Sequence, residues 1–276
     1  MANQPHLERA GSAAVIADLA AGQPVLSLGV RFSRTGDIAR MAAGAGYRVV
    51  WIDLEHSSMA IDCAAQIAAT ATDLGLAAWV RVPERDLGTI GRLLDCGATG
   101  IIAPKIETVE EARAFAAACR FPPVGQRSML ATVPQQLFAR HPAGEFTRLC
   151  NDEIAMQVLL ESAAGIDNAD AIAAVPGVDI LGVGMNDLTA DFGCPGEARD
   201  PRIVKACLQV AAAAKRHGKL AVVGGVANAD HFAELLAAGF SPLIFAGIDT
   251  DVMSLGLSAR AQEWNERLEK MQTISA

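Results

Sequence analysis

Short apolar runs recur along the chain, at 25–30, 49–52, 77–82, 100–103, 155–160, 180–183, 220–223 and 243–246. Several are apolar at nearly every position, as strands covered on both faces must be. Between them lie longer alanine-rich stretches in which apolar positions return every three or four residues, at 61–74, 87–96, 109–119, 166–174, 201–217 and 229–238. This is helical spacing. Glycine often follows such a stretch just before the next strand, Gly75 and Gly97 among them, which is a helix C-cap signal. Eight alternations of this kind predict a closed parallel (β/α)8 barrel, a TIM barrel, as one domain over residues 1–276. An open doubly wound sheet is the alternative, because periodicity does not report closure.

Two stretches fall outside the alternation. Residues 121–153 carry prolines, glycines and polar residues. They read either as a surface excursion or as a loop that covers a site or meets a neighbouring subunit. The tail 249–270 is helix-like, with Leu255, Leu257 and Trp264 as apolar anchors.

Composition narrows the picture. Hydrophobic residues make up 51% and charged residues 20% of the 276 positions, which fits a large buried core. A net charge of -8 argues against nucleic acid as a partner. The six cysteines form no C-x-x-C pair, so a structural zinc site or redox dithiol is not expected. The first residues lack a basic patch followed by an apolar run, and no apolar stretch reaches membrane-spanning length. A cytoplasmic protein that does not engage membranes is therefore expected. No P-loop, no G-x-S-x-G elbow and no complete dinucleotide fingerprint is present.

In this fold chemistry gathers at the C-terminal ends of the strands. There the chain places Asp53, Glu55 and His56 after the second run and Arg81 in the third. Lys105 follows the fourth, Glu161 the fifth, and Asn186 and Asp187 the sixth. Glu161 and Asp187 supply only oxygen donors, which suits Mg2+ or Mn2+ with positions left for water and substrate. Read alone, Glu161 is also a solvated carboxylate and Asp187 a helix N-cap. His56 is a candidate acid or base. Arg81 requires an anionic partner, either substrate or a structural carboxylate. Lys105 offers the competing chemistry of a Schiff base.

These pieces resemble the HpcH/HpaI aldolase family of metal-dependent pyruvate aldolases. The resemblance rests on Asp53-Leu54-Glu55-His56-Ser57, Val80-Arg81-Val82, Leu93-Leu94-Asp95-Cys96-Gly97-Ala98 and Ile102-Ala103-Pro104-Lys105. It continues through Leu160-Glu161-Ser162, Val175-Pro176-Gly177-Val178-Asp179, Gly184-Met185-Asn186-Asp187-Leu188 and Asp191-Phe192-Gly193. It implies a carbon–carbon lyase that cleaves a 4-hydroxy-2-oxo acid to pyruvate, or a related 2-oxo acid, and an aldehyde. By the same resemblance Glu161 and Asp187 hold a divalent ion, Mg2+ or Mn2+ first and Co2+ or Zn2+ as alternatives. His56 is the base, Asp95 orients it, and Arg81 stabilises the enolate. Arg81, Asn186, Asp187 and the residue at 159 touch substrate, and the protein is a homo-oligomer, commonly a hexamer. The chain departs from the pattern at Leu159, where the family commonly has glutamine, at Met185, where it has proline, and at Ser128, where it has glycine. A CoA-thioester lyase of the citrate-lyase or malyl-CoA-lyase branch is the alternative, and a non-catalytic barrel that binds a small acid is the next. His56 favours the aldolase branch, since the other usually lacks a histidine there.

Overall fold

The computed structural model describes residues 11–226 and 228–274. The chain begins with α1 (Ser12–Ala20), β1 (Val25–Val30), α2 (Asp37–Gly44), β2 (Val49–Asp53), α3 (Ile61–Asp73), β3 (Ala77–Arg81), α4 (Ile90–Asp95) and β4 (Gly100–Ala103). It continues through α5 (Val109–Cys119), α6 (Ala143–Glu153), β5 (Ala155–Leu160), α7 (Ala163–Asp167), α8 (Ala169–Ala173), β6 (Ile180–Gly184) and α9 (Met185–Asp191). The last elements are α10 (Pro201–Arg216), β7 (Leu220–Gly224), α11 (Ala229–Ala237), β8 (Leu243–Ile248) and α12 (Asp249–Ile274).

All the ladders are parallel, in the order β7-β6-β5-β4-β3-β2-β1-β8. The sheet therefore curls until β1 and β8 pair, and β7 comes alongside β8. There the Ser241 N–H donates to the Ala221 carbonyl at 2.7 Å. This is the nearly closed TIM-type barrel rather than the open sheet. Between β1 and β8 the register shifts after Ser27, so that Gly29 faces Ile248. Gly247 takes φ 122° at this irregularity, which only glycine adopts at little cost.

Two separate cores follow from strands buried on both faces. Outward residues such as Val50, Ile52 and Val80 pack with Ile67, Leu93 and Val210 of the surrounding helices. Inward residues such as Trp51, Trp79, Ile102, Leu159 and Val222 fill the barrel together with Val15 and Leu19 of α1. Helix α1 thus plugs the N-terminal end of the barrel. The fully buried Ser12 hydroxyl donates to the Thr99 carbonyl at 2.7 Å and accepts from Trp79 Nε1 at 2.9 Å. A Ser12→Ala protein should lose about 1–3 kcal/mol, because the indole N–H is left buried and unpaired; urea denaturation at pH 7 measures it.

The expected strands agree with the observed ones to within two residues, and the expected glycine caps carry positive φ, 79° at Gly75 and 120° at Gly97. The expected helix 166–174 is instead α7 and α8, joined at Asn168. The stretch 121–153 is not a bare loop. It holds a 3-10 turn, Pro134–Gln136, and then α6. Phe146 and Cys150, one helical turn apart on α6, pack on Phe121 and Val133. Gln135 Nε2 donates to the carbonyls of Leu94 and Ala98, just ahead of β4. The excursion is therefore anchored at the N-terminal end of β4, away from the strand C-termini of its own chain.

The cysteines divide by burial, with Cys63 half-buried and Cys96 exposed. Cys119, Cys150, Cys194 and Cys207 are buried, and all six are free thiols. Burial pushes the Cys119 thiol up to about 12, which makes it unreactive. Among the described residues no helix is long and apolar enough to cross a membrane.

Candidate active site

The C-terminal ends of the strands surround a cavity of about 540 Å³. Arg31, His56, Arg81, Glu161, Asn186 and Asp187 stand around its mouth. Residues two positions earlier on a strand lie on the same face and about 7 Å deeper. Trp51, Leu159 and Phe245 therefore line the floor, with Ile102 and Gln157. Of the residues expected at the site, the fold brings His56, Arg81, Leu159, Glu161, Asn186 and Asp187 together.

Asp53 organises one side of the mouth. It closes β2 with no solvent exposure. Its carboxylate accepts from Arg81 Nη2 at 2.7 Å and Nε at 3.1 Å, and from Arg31 Nε at 2.9 Å. It also accepts the backbone N–H groups of Glu55 and His56, both at 3.1 Å, which shapes the turn that carries His56. Burial by itself would raise the Asp53 pKa, but the two guanidinium groups and the His56 N–H outweigh it and hold the carboxyl below its usual range. Arg81 is fixed further by Glu55 Oε2, 3.2 Å from Nη1, and by the Trp51 ring, 5.4 Å below its guanidinium carbon.

His56 Nε2 lies 3.7 Å from Glu55 Oε2 and its side chain is half-exposed. Glu55 thus spans Arg81 and His56. Asp95 was expected, by resemblance, to orient His56, and within this chain it does not reach it. Asp95 ends α4 and pairs with Arg127 at 2.6 Å. The physical reason is topological, since a helix that leads into a barrel strand ends at the N-terminal side of that strand, opposite the mouth.

Glu161 is buried just beyond β5 and accepts the Lys105 N–H at 3.1 Å. Burial, with the nearby charges of Asp187 and Glu55, pushes its pKa up to about 7 against the opposing pull of that N–H and Arg81. Gly184 makes its place, because a Cβ there would overlap the Glu161 carboxylate. Asp187, at the start of α9, is exposed to the cavity. Among the described residues no group of three or more His, Cys, Asp and Glu is arranged to hold a metal ion. A site built on Glu161 and Asp187 would leave most of an ion's positions to water and substrate. A buried carboxylate that holds its proton to neutrality gains from a divalent cation beside it, and the all-oxygen pair fits a hard ion. Lys105 contributes its backbone. Its Nζ lies 3.7 Å from Glu84 and the residue does not line the cavity, which removes the geometric basis for a Schiff base there.

Arg31 was not singled out from the sequence, although it directly follows an apolar run as the other site residues do. Gln157 and Trp51 were missed as well. The only signal for them was inward alternation along β5 and β2, which apolar strands share with every barrel residue. Asp249, the first residue of α12, was read as the start of the helix-like tail. It accepts the N–H groups of Arg31, Phe32 and Ser33, and so holds the segment that carries Arg31.

Comparison with known proteins agrees with this geometry. The family model described as HpcH/HpaI aldolase/citrate lyase matches residues 32–254. A 4-hydroxy-4-methyl-2-oxoglutarate aldolase of Chaetomium globosum is 38% identical over 78% of this chain and 80% of its own length. A 4-hydroxy-2-oxovalerate aldolase of Novosphingobium aromaticivorans is 32% identical over 84% of this chain and 87% of its own. The crystal structure of an HpcH/HpaI aldolase from Desulfitobacterium hafniense superimposes with a TM-score of 0.83 at 26% identity, covering 91% of this chain and 96% of that one. With its barrel and the residues around its mouth, the chain belongs to the HpcH/HpaI aldolase/citrate lyase family.

Proposed function

We propose that this protein is a divalent-metal-dependent aldolase that cleaves a 4-hydroxy-2-oxo acid to pyruvate, or a related 2-oxo acid, and an aldehyde. The observation that carries the reading is one cavity mouth bearing Glu161, Asp187, Arg81 and His56. Glu161 and Asp187 would hold the ion, Mg2+ or Mn2+ by their oxygen donors. When bound, it supplies Lewis-acid stabilisation of the charge that develops on the keto oxygen.

The rest is done by side chains of this chain. Arg81, locked by Asp53 and Glu55, presents a fixed positive charge to the 2-oxo acid as the enolate forms, without reorganising. His56 removes the proton from the C4 hydroxyl. The C3–C4 bond then breaks, the aldehyde departs, and C3 of the enolate takes up a proton. Glu55 stands where a carboxylate can orient the imidazole. Asn186 and Asp187 border the substrate carboxylate, and Leu159 closes the space beneath.

Pyruvate release from a panel of 4-hydroxy-2-oxo acids tests the reading. EDTA should abolish release and added Mn2+ restore it, while borohydride with pyruvate should trap no adduct. Activity that survives chelation, or turnover confined to malyl-CoA or citryl-CoA, would overturn it. A pH effect follows from Glu161. Its proton competes with the ion, so Mn2+ affinity should plateau above about pH 7 and fall about tenfold per unit below it. Calorimetric titration between pH 5.5 and about 8 measures the slope.

We assign the exposed apolar side chains of α12 to contact with a second copy of the chain, in a homo-oligomer. Leu255 and Leu257 are 72% and 64% exposed on this helix, more than an isolated domain leaves uncovered in series. Sedimentation of the full chain tests this, and a monomer at micromolar concentration would refute it.

A further inference from the structure

One stretch of the cavity wall carries no side chain. Along β7, Leu220 and Val222 pack inside the barrel while Ala221 and Val223 pack on the helices. By that alternation residue 224 faces inward, and Gly224 lines the cavity. Its neighbouring glycines have evident reasons to be glycine. A Cβ on Gly184 would overlap the Glu161 carboxylate, and Gly225 and Gly247 take φ 82° and 122°. Gly224 has neither reason. Its φ is not positive, and among the described residues a Cβ there would meet only the Phe245 ring, at 3.9 Å, an ordinary contact. The space in front of Gly224 is therefore open to a ligand, and both Gly224 and Phe245 are partly exposed to it.

The register locates that space. Leu160 pairs with Val183, and Gly184 with Gly224. Glu161, Gly184 and Gly224 thus form one layer across β5, β6 and β7. The Glu161 carboxylate lies over Gly184, and adjacent strands are about 4.8 Å apart, so the space begins beside that carboxylate and at its height. His56 follows β2, three strands further round the barrel past β8 and β1. The layer beneath is apolar. Val222 pairs there with Gly182, and a Cβ on Gly182 would lie 2.7 Å from Leu159 Cδ2. Phe245 forms the side wall.

A 2-oxo acid held at Glu161 and Asp187 by its carboxylate and keto oxygen has only C3 left to carry a substituent. C3 bonds to the aldehyde carbon on the side of His56, which handles the C4 hydroxyl. A second group on C3 has room towards Gly224, and the apolar walls favour hydrocarbon over a polar group. We propose that Gly224 opens a donor subsite for a small alkyl group on C3, so that 2-oxobutanoate is a better donor than pyruvate. The proposal rests on the aldolase reading. The bond chemistry does not change. C3 loses one proton and bonds to the aldehyde carbon, the aldehyde oxygen takes up a proton, and the alkyl group is a spectator.

Pyruvate and 2-oxobutanoate differ by one methylene and test the subsite directly. The full chain loaded with Mn2+ is titrated with each acid by calorimetry, and deuterium uptake at C3 is followed by NMR in D2O without aldehyde. 2-Oxobutanoate should bind about fourfold more tightly, as one buried methylene implies. Gly224→Val fills the space with a good strand former and should reverse the order. Gly224→Ala should lower the ratio, and it carries the test if the valine variant does not fold. Equal affinities or a preference for pyruvate in the unaltered protein, binding of neither acid, or a preference for 2-oxobutanoate undiminished in the folded variants would overturn the proposal. Deuterium uptake distinguishes this from failure of the aldolase reading. Uptake from pyruvate with no advantage for 2-oxobutanoate ends the subsite alone. No uptake from either acid, with no pyruvate release from any aldol, ends both.

Discussion

Glu161→Gln is expected to abolish metal-dependent turnover, with kcat/KM lowered on the order of 10³-fold or more and Mn2+ affinity lost in parallel. Removing one preorganised group that stabilises transition-state charge typically costs two to three orders of magnitude, and here the ion would be lost as well. Glutamine keeps the shape, and its carbonyl can still accept the Lys105 N–H now bound at 3.1 Å, so the barrel should remain folded. Stability should move the other way. Burial lifts the pKa of Glu161 from 4.5 to about 7, so the folded protein holds this proton more tightly than the unfolded chain. The ion-free protein therefore loses stability as pH rises from about 4.5 towards 7. The glutamine variant lacks that slope and should melt higher than the ion-free parent at neutral pH. Calorimetric Mn2+ titration, pyruvate release and thermal melting separate the effects. Unchanged Mn2+ affinity in Glu161→Gln and in its companion Asp187→Asn would place the ion elsewhere.

Asp53→Ala should be the most destabilising single change at the site, by about 3–5 kcal/mol, the usual cost of removing one partner of a buried ion pair. The residue is fully buried, two arginines converge on it, and two backbone N–H groups depend on it. Removing it leaves Arg81 with Glu55 alone and frees the turn that carries His56, so activity should fall as well. The sign with pH follows from a lowered pKa. The contribution of Asp53 is fully present above the ordinary aspartate value of 3.8 and is lost as pH falls through the depressed one. Urea denaturation at pH 7 should show the full difference from the parent, and the gap should narrow in strong acid. A loss below about 1 kcal/mol would mean that Arg31 and Arg81 regain water when the carboxylate goes.

The alternation of apolar runs and helical stretches located the strands within two residues, because a strand buried on both faces must be apolar throughout and that property is local. The strand-end rule then found His56, Arg81, Glu161 and Asp187 without any coordinates, since chain direction alone decides which end of a parallel strand faces the mouth. The helix within 143–153 was hidden by the prolines and glycines around it. It is held by Phe146 and Cys150 packing on Phe121 and Val133, contacts that reach back more than a helix length.

The sequence by itself therefore determined the order of elements, the end of the barrel that carries chemistry and the residue types there. Only the tertiary structure decided which of them meet. It set Asp95 against Arg127 at the far end and Glu55 beside His56. It joined Arg31 and Arg81 through one buried aspartate, and it left the Trp51 indole N–H and the Gln157 amide oxygen without a hydrogen-bond partner among the described residues. Periodicity reports which face of an element is buried. Partners across the barrel depend on how the sheet closes and how its registers stagger, and those are set by contacts among strands far apart in the chain.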